Sequence, residues 1–349
     1  MMKRLNKSWR LGLVSGLLIG MFILLVPFAS LQGAQGFKPK KPVEFTIMAG
    51  TGGGADIYAR FIAGVIEKNK AALGVPELTL LPTNRAGGSG AVAMQFLNDL
   101  KGDAADHTIA ISLDSFIMTP LIQGLPYTWR DFKGIALLAL DNFFLWVTTD
   151  DANNKYKTPA DFIKDAKDRA LTSGGTGTFQ EDQLIIDSIT KALGFKPTKY
   201  VPFSGGGAVA TALVGKQVEF TVNNPSECLP FYPDKCKPLW TFATKRHEKD
   251  ERFKTLPTLK ELGTDFTYQM IRAVYGPPAM SKEAVAYYTD LMKKVFALDE
   301  FQKFFDTEVL DDKLLVGDDL AKFVEAEALK RCKLMVQVGW DLKKKEPGC

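Results

Sequence analysis

The chain has 349 residues, of which 46% are hydrophobic and 24% are charged. Its length accommodates two domains with separate hydrophobic cores, and its composition excludes a disordered chain or a repeat array. The formal net charge of +4 comes from the N-terminal segment, so it does not indicate nucleic-acid binding.

The N-terminal segment, residues 1–36, has the pattern of an export signal. Four basic residues come first, Lys3, Arg4, Lys7 and Arg10, and an uncharged, mostly apolar stretch follows over residues 11–30. Ala34 and Gly36 are small residues that suit the positions before a cleavage site. The apolar stretch is also long enough for an uncleaved membrane anchor, which stays open. We expect an exported protein, and removing the segment leaves equal numbers of basic and acidic residues.

After this segment, short apolar runs alternate with stretches of helical periodicity. Residues 43–48 are predicted as a buried strand that ends at glycine-rich residues 50–54. Ile57, Phe61 and Val65 then recur at four-residue spacing, which indicates a helix. Further strands are predicted at residues 78–81 and 108–113, each before a turn and a helix. This alternation predicts a parallel, doubly wound α/β sheet.

A second unit is predicted to begin near Asp141, between strands at residues 135–140 and 145–148. Thr158 and Pro159 are typical of a helix start. The other strands of this unit are predicted at residues 171–173, 199–203, 218–222 and 239–243. From about residue 279 the chain is predicted to be mainly helical, apart from a short strand near residues 313–316.

One arrangement occurs four times: a strand, a glycine-rich turn and a helix. The turns lie at residues 49–55, 84–90, 173–178 and 203–207. The first N–H groups of a helix lack partners within it and its dipole makes that end positive, so such ends bind carboxylate or phosphate. One such turn is usually only a tight connection. Its repetition in both halves of the chain predicts a shared anion site at the carboxyl ends of the strands.

The predicted ligand contacts come from these turns and from the start of one further helix. They are Thr51, Gly52, Gly53, Gly54, Asp56, Ser115, Thr176, Gly177, Thr178, Gly205, Gly206 and Gly207. Asp56 has two interpretations, because an acid in the first turn of a helix either stabilises the helix end or contacts the ligand through water. Arg85, the cation nearest to the second turn, fits a sheet-edge role as well as ligand pairing.

Other site chemistries have little support. Residues 50–55 fit the G-x-G-x-x-G/A dinucleotide pattern, but the acidic residue expected about 20 residues further on is missing. The chain has no P-loop motif, no G-x-S-x-G motif and two histidines, His107 and His247, both predicted at the surface. We therefore predict no catalytic residues, no metal site and no cofactor.

Export makes disulfides possible for the four cysteines. We favour a bond between Cys228 and Cys236, which enclose a short proline-containing loop, and consider Cys332–Cys349 a weaker second pair. Three connectivities are formally possible, and four free thiols remain the alternative.

Several segments, in order along the chain, resemble the extracytoplasmic solute receptors of tripartite tricarboxylate transporters, also called the Bug family. The matching segments are residues 52–60, 84–90, 156–161, 201–207, 256–263 and 276–279. Each motif is loose, but the ordered set is specific and covers nearly all of the chain after the signal.

The resemblance implies a periplasmic binding protein with two doubly wound α/β lobes joined by a hinge. The lobes are expected at residues 37–141 together with 250–349, and at residues 142–249. The resemblance also implies a monomer that closes on a carboxylate and delivers it to integral-membrane permease subunits. Its gripping loops fall on residues 51–56, 176–178 and 205–207.

The chain departs from the family pattern at four places. Residues 48–51 replace a proline-rich start, Gln183 stands for a common histidine, Asn223 stands for a common acid, and the insert at residues 228–236 is atypical. Asn223 is expected to contact the ligand, and the loss of an acid there favours a more anionic ligand.

We therefore predict a receptor for a small mono-, di- or tricarboxylate, aromatic ones included, and not an enzyme. The alternative is a receptor that passes ligand occupancy to a signalling protein.

Overall fold

The computed structural model describes residues 36–149 and 155–349. Eleven strands lie within these residues: β1 Val43–Ile47, β2 Leu80–Asn84, β3 Thr108–Ile111, β4 Lys133–Asn142, β5 Phe144–Thr148, β6 Thr172–Thr176, β7 Lys199–Phe203, β8 Phe220–Asn223, β9 Cys236–Thr241, β10 Gln269–Gly276 and β11 Leu310–Leu315. The predicted export signal lies outside the described residues, apart from Gly36.

Twelve α-helices connect these strands within the same residues. They are α1 Gly54–Lys68, α2 Lys70–Leu73, α3 Ala91–Asp99, α4 Gly102–Asp106, α5 Ser115–Gln123, α6 Pro159–Asp168, α7 Glu181–Leu193, α8 Gly206–Val214, α9 Pro225–Cys228, α10 Lys282–Phe296, α11 Asp299–Glu308 and α12 Gly317–Val338. None of the helices in the described part of the chain is long and apolar enough to span a bilayer.

The strands form two sheets. The first has the order β11-β4-β10-β3-β1-β2, and the second has the order β7-β6-β8-β5-β9. In each sheet the strands that precede the glycine turns run parallel: β1 pairs in parallel with β2 and β3, and β6 with β7 and β8. The predicted α/β class is confirmed, but both sheets are mixed because β10, β11 and β5 pair antiparallel.

Phe143 lies between β4, a strand of the first sheet, and β5, the first strand of the second sheet. It is buried together with its neighbours Phe144 and Trp146, so the chain passes from one sheet to the other through packed aromatic side chains. The passage falls at the place where the sequence predicts a second unit to begin. The lobe boundaries themselves stay a prediction.

The C-terminal helix α12 contacts both α5 beside the first sheet and α7 beside the second sheet. Trp340 follows this helix, and its indole N–H donates to Asp187 Oδ2 at 2.8 Å. The Trp340 ring also meets the Phe179 ring edge-on, with 5.0 Å between centroids. The C-terminal segment therefore bridges elements of both sheets.

The cysteine pairing differs from the favoured prediction. Cys332 in α12 is bonded to Cys349, the pair that was ranked second, whereas Cys228 and Cys236 are free and buried. The Cys236 thiol donates instead to the Cys228 carbonyl oxygen at 3.5 Å. Burial in an apolar cluster raises the pKa of the Cys228 thiol, since the thiolate would lose its hydration there.

Candidate functional site

The first and fourth glycine turns lie directly against each other. A Cβ atom on Gly207 would lie 2.8 Å from the Gly52 carbonyl oxygen, and one on Gly50 would lie 2.8 Å from the Ser204 carbonyl oxygen. These turns come from different sheets, since one follows β1 and the other follows β7. Only glycine lets two backbones approach this closely.

The second and third glycine turns form a similar pair. Ser89 Oγ donates to the Thr178 carbonyl oxygen at 2.7 Å, and a Cβ atom on Gly177 would lie 3.2 Å from Ser89 Oγ. Thr119 in α5 fixes this turn by donating to the Ser89 carbonyl oxygen at 2.6 Å. All four turns therefore line one cleft between the two sheets, and the cleft is closed.

Gly174 and Gly175, expected in the third turn, belong instead to strand β6. A Cβ atom on Gly175 would collide with the Tyr200 side chain and with Asp182, so these glycines make room for neighbouring side chains. The turn itself is confined to the residues around Gly177, whose φ of +60° is left-handed.

A small cavity remains where the turns meet. Its volume is about 30 Å³, which holds about one water molecule. It is lined by Ala49, Gly53, Gly54, Ala55, Leu113, Phe143, Thr176, Gln180, Glu181, Asp182, Gly206, Asn224, Glu227, Met270 and Arg272. A ligand of several heavy atoms therefore does not fit this small cavity, but a larger space of about 290 Å³ lies beside it and is lined by residues of all four turns.

The protein's own Glu227 takes the anion position at the first turn. Its Oε1 accepts the Gly54 N–H at 2.9 Å, and its Oε2 accepts the Asn223 side-chain N–H at 2.7 Å and the Asn224 N–H at 3.2 Å. A Cβ atom on Gly206 would collide with this carboxylate. The starts of α1 and α8 thus converge on one carboxyl group, as the helix-dipole argument requires of an anion.

Two further carboxyl groups occupy neighbouring helix and strand ends in the same way. Glu181 Oε1 accepts the Ser115 N–H at the start of α5 at 2.6 Å. Asp182 Oδ2 accepts the Thr176 N–H at 2.5 Å. Both side chains are at most 6% exposed, and both lie in the first turn of α7.

Burial has the largest effect on the pKa values of these three carboxyl groups. It raises the pKa of Glu181 to about 7, with the nearby charge of Asp114 acting in the same direction. It also raises the pKa of Asp182, helped by Glu227, and the pKa of Glu227 itself. Among the described residues none of the three has a lysine or arginine within ion-pair distance. Removal from water therefore favours their neutral forms.

Arg272 on the central strand β10 is the cation of this site. Its Nε donates to Asp141 Oδ2 at 2.8 Å, and its Nη2 donates to the same oxygen and to Asn224 Oδ1. Its Nη1 is buried and has no hydrogen-bond partner among the described residues. Burial raises the pKa of Asp141, although Arg272 opposes this. The site thus holds one N–H donor group that is free to form a hydrogen bond to a ligand oxygen.

The predicted site residues lie at different places in the cleft. Gly53, Gly54, Thr176 and Gly206 line the cavity, and Ser115 and Asn223 hold the carboxylates that line it. The remaining glycines form the contacts between turns, whereas Thr51 and Thr178 have exposed side chains at the cleft edge.

Asp56 and Arg85 have structural partners. Asp56 accepts the Gly52 N–H at 3.0 Å and pairs with Arg60 at 2.8 Å, so it holds the first turn and does not line the cavity. Arg85 pairs with Glu44 at 2.7 Å and its guanidinium stacks on Phe96. The helix-end interpretation of Asp56 and the sheet-edge interpretation of Arg85 fit these contacts.

The prediction that both histidines lie at the surface is wrong for His107. This side chain is 4% exposed, and its Nε2 accepts the Lys40 N–H at 3.1 Å. His247 is half-buried beside Thr241, and burial lowers its pKa. Neither lines the cavity between the glycine turns.

Four cavity residues that carry charge were not among the predicted contacts: Glu181, Asp182, Glu227 and Arg272. Asn224 and Glu227 form a capping box around Pro225, which the sequence Asn-Pro-Ser-Glu could have indicated. Glu181 and Asp182 begin the helix that carries Ile185 and Ile189, so the sequence could also have indicated their place at a helix start. Arg272 carried no such signal, because β10 was not predicted.

Comparisons with known proteins agree with this architecture. A sequence profile of the tripartite tricarboxylate transporter family receptor matches residues 65–339. The UPF0065 protein in the gbd 5'region of Cupriavidus necator is 25% identical over 308 residues, which cover 86% of this chain and 88% of that protein.

Two solved structures from R. palustris share the fold. Rpa4515 with adipate is 21% identical, with a TM-score of 0.77 over 86% of this chain and 98% of that chain. MatC from Rhodopseudomonas palustris with bound malate is 19% identical, with a TM-score of 0.67 over 86% of this chain and 98% of that chain.

Proposed function

This chain belongs to the family of tripartite tricarboxylate transporter receptors, and from that membership we propose that it captures a small carboxylate for uptake. Receptors of this family serve transport and are not enzymes. The ligand would enter the cleft between the two sheets and would be passed to integral-membrane permease subunits from the periplasm.

The unpartnered Nη1 of Arg272 carries this proposal. A buried guanidinium donor without an acceptor is costly, and a carboxylate is the group that matches its planar geometry best. Arg272 also lies over the start of α1, since a Cβ atom on Gly54 would collide with its Nη2. Guanidinium and helix end together favour a ligand carboxylate at one place.

The fold neighbours give independent support. The Rpa4515 structure holds adipate and the MatC structure holds malate, and both ligands are small carboxylates. Neither ligand is assigned to this chain, because identities of 21% and 19% do not carry over the contacts of a binding site.

Capture would require movement of two lobes, residues 37–141 with 250–349 and residues 142–249. The cavity beside Arg272 has a volume of about 30 Å³, so a ligand could reach this arginine only in a more open form. Ligand contacts from both lobes would then shift the population back to the closed form, and this form would dock the permease as a monomer.

Calorimetry of the purified protein against a panel of mono-, di- and tricarboxylates tests this function. We expect at least one to bind with one-to-one stoichiometry. Arg272→Lys should weaken that binding by about tenfold, because lysine keeps the charge beside Asp141 but loses the planar fork.

The matched control is Arg246→Lys, which changes an exposed arginine paired with Glu261 and should leave affinity unchanged. Failure of every carboxylate to bind the wild-type protein would contradict the proposed function.

A further inference from the structure

Two helix starts beside the first sheet are filled by carboxyl groups that come from helices beside the second sheet. The Gly54 N–H at the start of α1 donates to Glu227 Oε1 at 2.9 Å, and the Ser115 N–H at the start of α5 donates to Glu181 Oε1 at 2.6 Å. Helices α1 and α5 follow β1 and β3, whereas α7 and α9, which carry the two acids, follow β6 and β8. Both contacts therefore join the two sides of the cleft.

Glu227 has the larger set of donors of the two acids. Its Oε2 also accepts the Asn223 side-chain N–H at 2.7 Å and the Asn224 N–H at 3.2 Å. A Cβ atom on Gly206, at the start of α8, would collide with the Glu227 carboxyl group, so the backbone of α8 comes this close only because residue 206 is glycine. Converging N–H donors at the starts of two helices form an anion site, and a side chain of the protein fills it.

Arg272 is a second observation that points to a carboxylate at this place. Its side chain is 1% exposed and lines the same cavity as Glu227, and its Nη1 has no hydrogen-bond partner among the described residues. Gly54 lies directly against this guanidinium, since a Cβ atom on Gly54 would collide with Arg272 Nη2. Glu227 therefore satisfies the backbone donor and leaves the neighbouring guanidinium donor unsatisfied, which is costly in a buried site.

We propose that Glu227 is a built-in substitute for the carboxylate of the ligand: it fills the anion position between the starts of α1 and α8, and a carboxylate captured in the cleft displaces it. The captured group would take the Gly54 N–H and the free Arg272 Nη1 together. This inference rests on the carboxylate binding proposed above and identifies the group with which the ligand competes.

Two properties of Glu227 favour its displacement. Burial raises its pKa although its N–H donors oppose this, and a neutral carboxyl group is a weaker acceptor than an ionised carboxylate that enters from solution. Its contact with the Asn224 N–H is part of the local capping box of α9. Glu227 can therefore release Gly54 and keep an acceptor role at the start of its own helix.

A capping role alone does not explain the position of Glu227. Glu261 caps a turn in the same way, since it accepts the Thr258 N–H at 2.8 Å while its own N–H donates to Thr258 Oγ1 at 3.1 Å. Glu261 is exposed and pairs with Arg246. Glu227 makes the local cap and in addition contacts Gly54, 173 residues away in sequence. The two acids therefore allow capping and occupancy of the anion position to be separated.

Thermal unfolding measured by calorimetry with added formate tests the proposal. Glu227→Ala removes the carboxyl group and leaves its donors to an external carboxylate, and formate is the smallest one. We expect about 100 mM sodium formate to raise the melting temperature of Glu227→Ala by about 2 °C more than that of the wild type, in which the position is filled. Sodium chloride at equal ionic strength and formamide, which is neutral, should not reproduce this difference.

Glu261→Ala is the matched control, because it loses a capping acid outside the cleft and should respond to formate as the wild type does. Glu227→Asp is a second variant that keeps an acid near the start of α9 but is too short to reach Gly54. It should also respond to formate, and it decides the question if Glu227→Ala does not fold. Equal responses of the Glu227 variants and the wild type overturn the inference, and so does equal stabilisation by formamide.

Ligand affinity separates this inference from the proposed function. Each carboxylate of the panel that binds the wild type should bind Glu227→Ala about tenfold more tightly, because it no longer displaces a side chain. Weaker binding to the variant overturns the inference and leaves the proposed function standing. If formate stabilises Glu227→Ala while no carboxylate of the panel binds the wild type, the proposed function fails and the anion position filled by Glu227 is retained.

Discussion

At the scale of single residues, the helix ends of this cleft are already occupied by carboxyl groups of the protein. Glu227 accepts the Gly54 N–H at 2.9 Å, and Glu181 accepts the Ser115 N–H at 2.6 Å. These contacts stabilise the ionised forms, but burial acts more strongly in the other direction and raises both pKa values. The closed cleft therefore favours the neutral forms of these carboxyl groups.

Glu181 gives this effect a measurable consequence for stability. Its pKa in the folded protein is about 7, above the ordinary carboxyl range, so the folded state binds this proton more tightly than the unfolded state does. Stability is then highest below the ordinary carboxyl pKa and falls as the pH rises toward 7. We expect a loss of up to about 3 kcal/mol from this group between pH of about 4 and about 8.

Urea denaturation of the unliganded protein at both ends of this range measures the loss. The glutamine in Glu181→Gln cannot titrate, so the free energy of unfolding of this variant should fall less than that of the wild type. Asp182 and Glu227 still titrate in the variant, so part of the fall should remain. Equal drops in wild type and variant would contradict the assignment to Glu181.

At the scale of elements, the strands that precede glycine turns were the most predictable. β1 and β7 lie where apolar runs end in glycine, and β4, β5 and β11 overlap the strands predicted for them. Their apolar residues are continuous or lie on one face, so the pattern distinguishes them from helices.

Strand β10 was not predicted, although it lies in the centre of the first sheet between β3 and β4. Arg272 interrupts its apolar run, and a buried arginine is uncommon enough that the pattern argues against a central strand. Its partner Asp141 lies 131 residues away in sequence, so only the folded structure shows that the charge is paired. The principal cation of the candidate site was missed for this reason.

The link between helix α12 and the C-terminus is the disulfide Cys332–Cys349, which closes a loop with a sequence separation of 17 residues. The segment inside this loop also lies against α5, where the Lys344 N–H donates to the Leu121 carbonyl oxygen. A loop of this size stabilises a protein by about 3 kcal/mol, mainly by restricting the unfolded chain. We expect Cys349→Ser to lower the melting temperature measured by calorimetry.

Reductant provides the control for this expectation. It should lower the melting temperature of the wild type to that of Cys349→Ser and should have no effect on the variant. A further decrease in the reduced variant would show a second disulfide, and Cys228 and Cys236 would be the pair to examine.

At the scale of the whole molecule, the cleft is closed by direct contacts between turns that follow strands of different sheets. The Ser89–Thr178 hydrogen bond lies at one side of the cleft, and the contact between Gly52 and Gly207 lies at the other. These contacts between the turns involve few side chains, so breaking them by themselves exposes little apolar surface. An open form that admits ligand is therefore accessible if the sheets move as units.

A cross-link across the cleft tests whether opening is required. In Ser89→Cys/Gly177→Cys the two sulfur atoms would lie at a spacing that suits a disulfide, because a Cβ atom on residue 177 lies 3.2 Å from the Ser89 Oγ position. The oxidised double variant should bind no ligand by calorimetry, and reduction should restore binding.

Ser89→Cys alone is the control and should bind ligand under both conditions. Normal binding by the fully cross-linked protein would show that ligand enters without separation of these turns.

The fluorescence of Trp340 can report on the contact between the C-terminal segment and the second sheet. It is only partly buried, whereas Trp129, Trp146 and Trp240, the other tryptophans in the described residues, are at most 3% exposed. Its indole is held by Asp187 and Phe179, both of which belong to the part of the chain that forms the second sheet. If α12 stays with the first sheet when the cleft opens, this indole would leave Asp187 and Phe179 for water, and the intrinsic fluorescence of the unlabelled protein would follow opening of the cleft in real time.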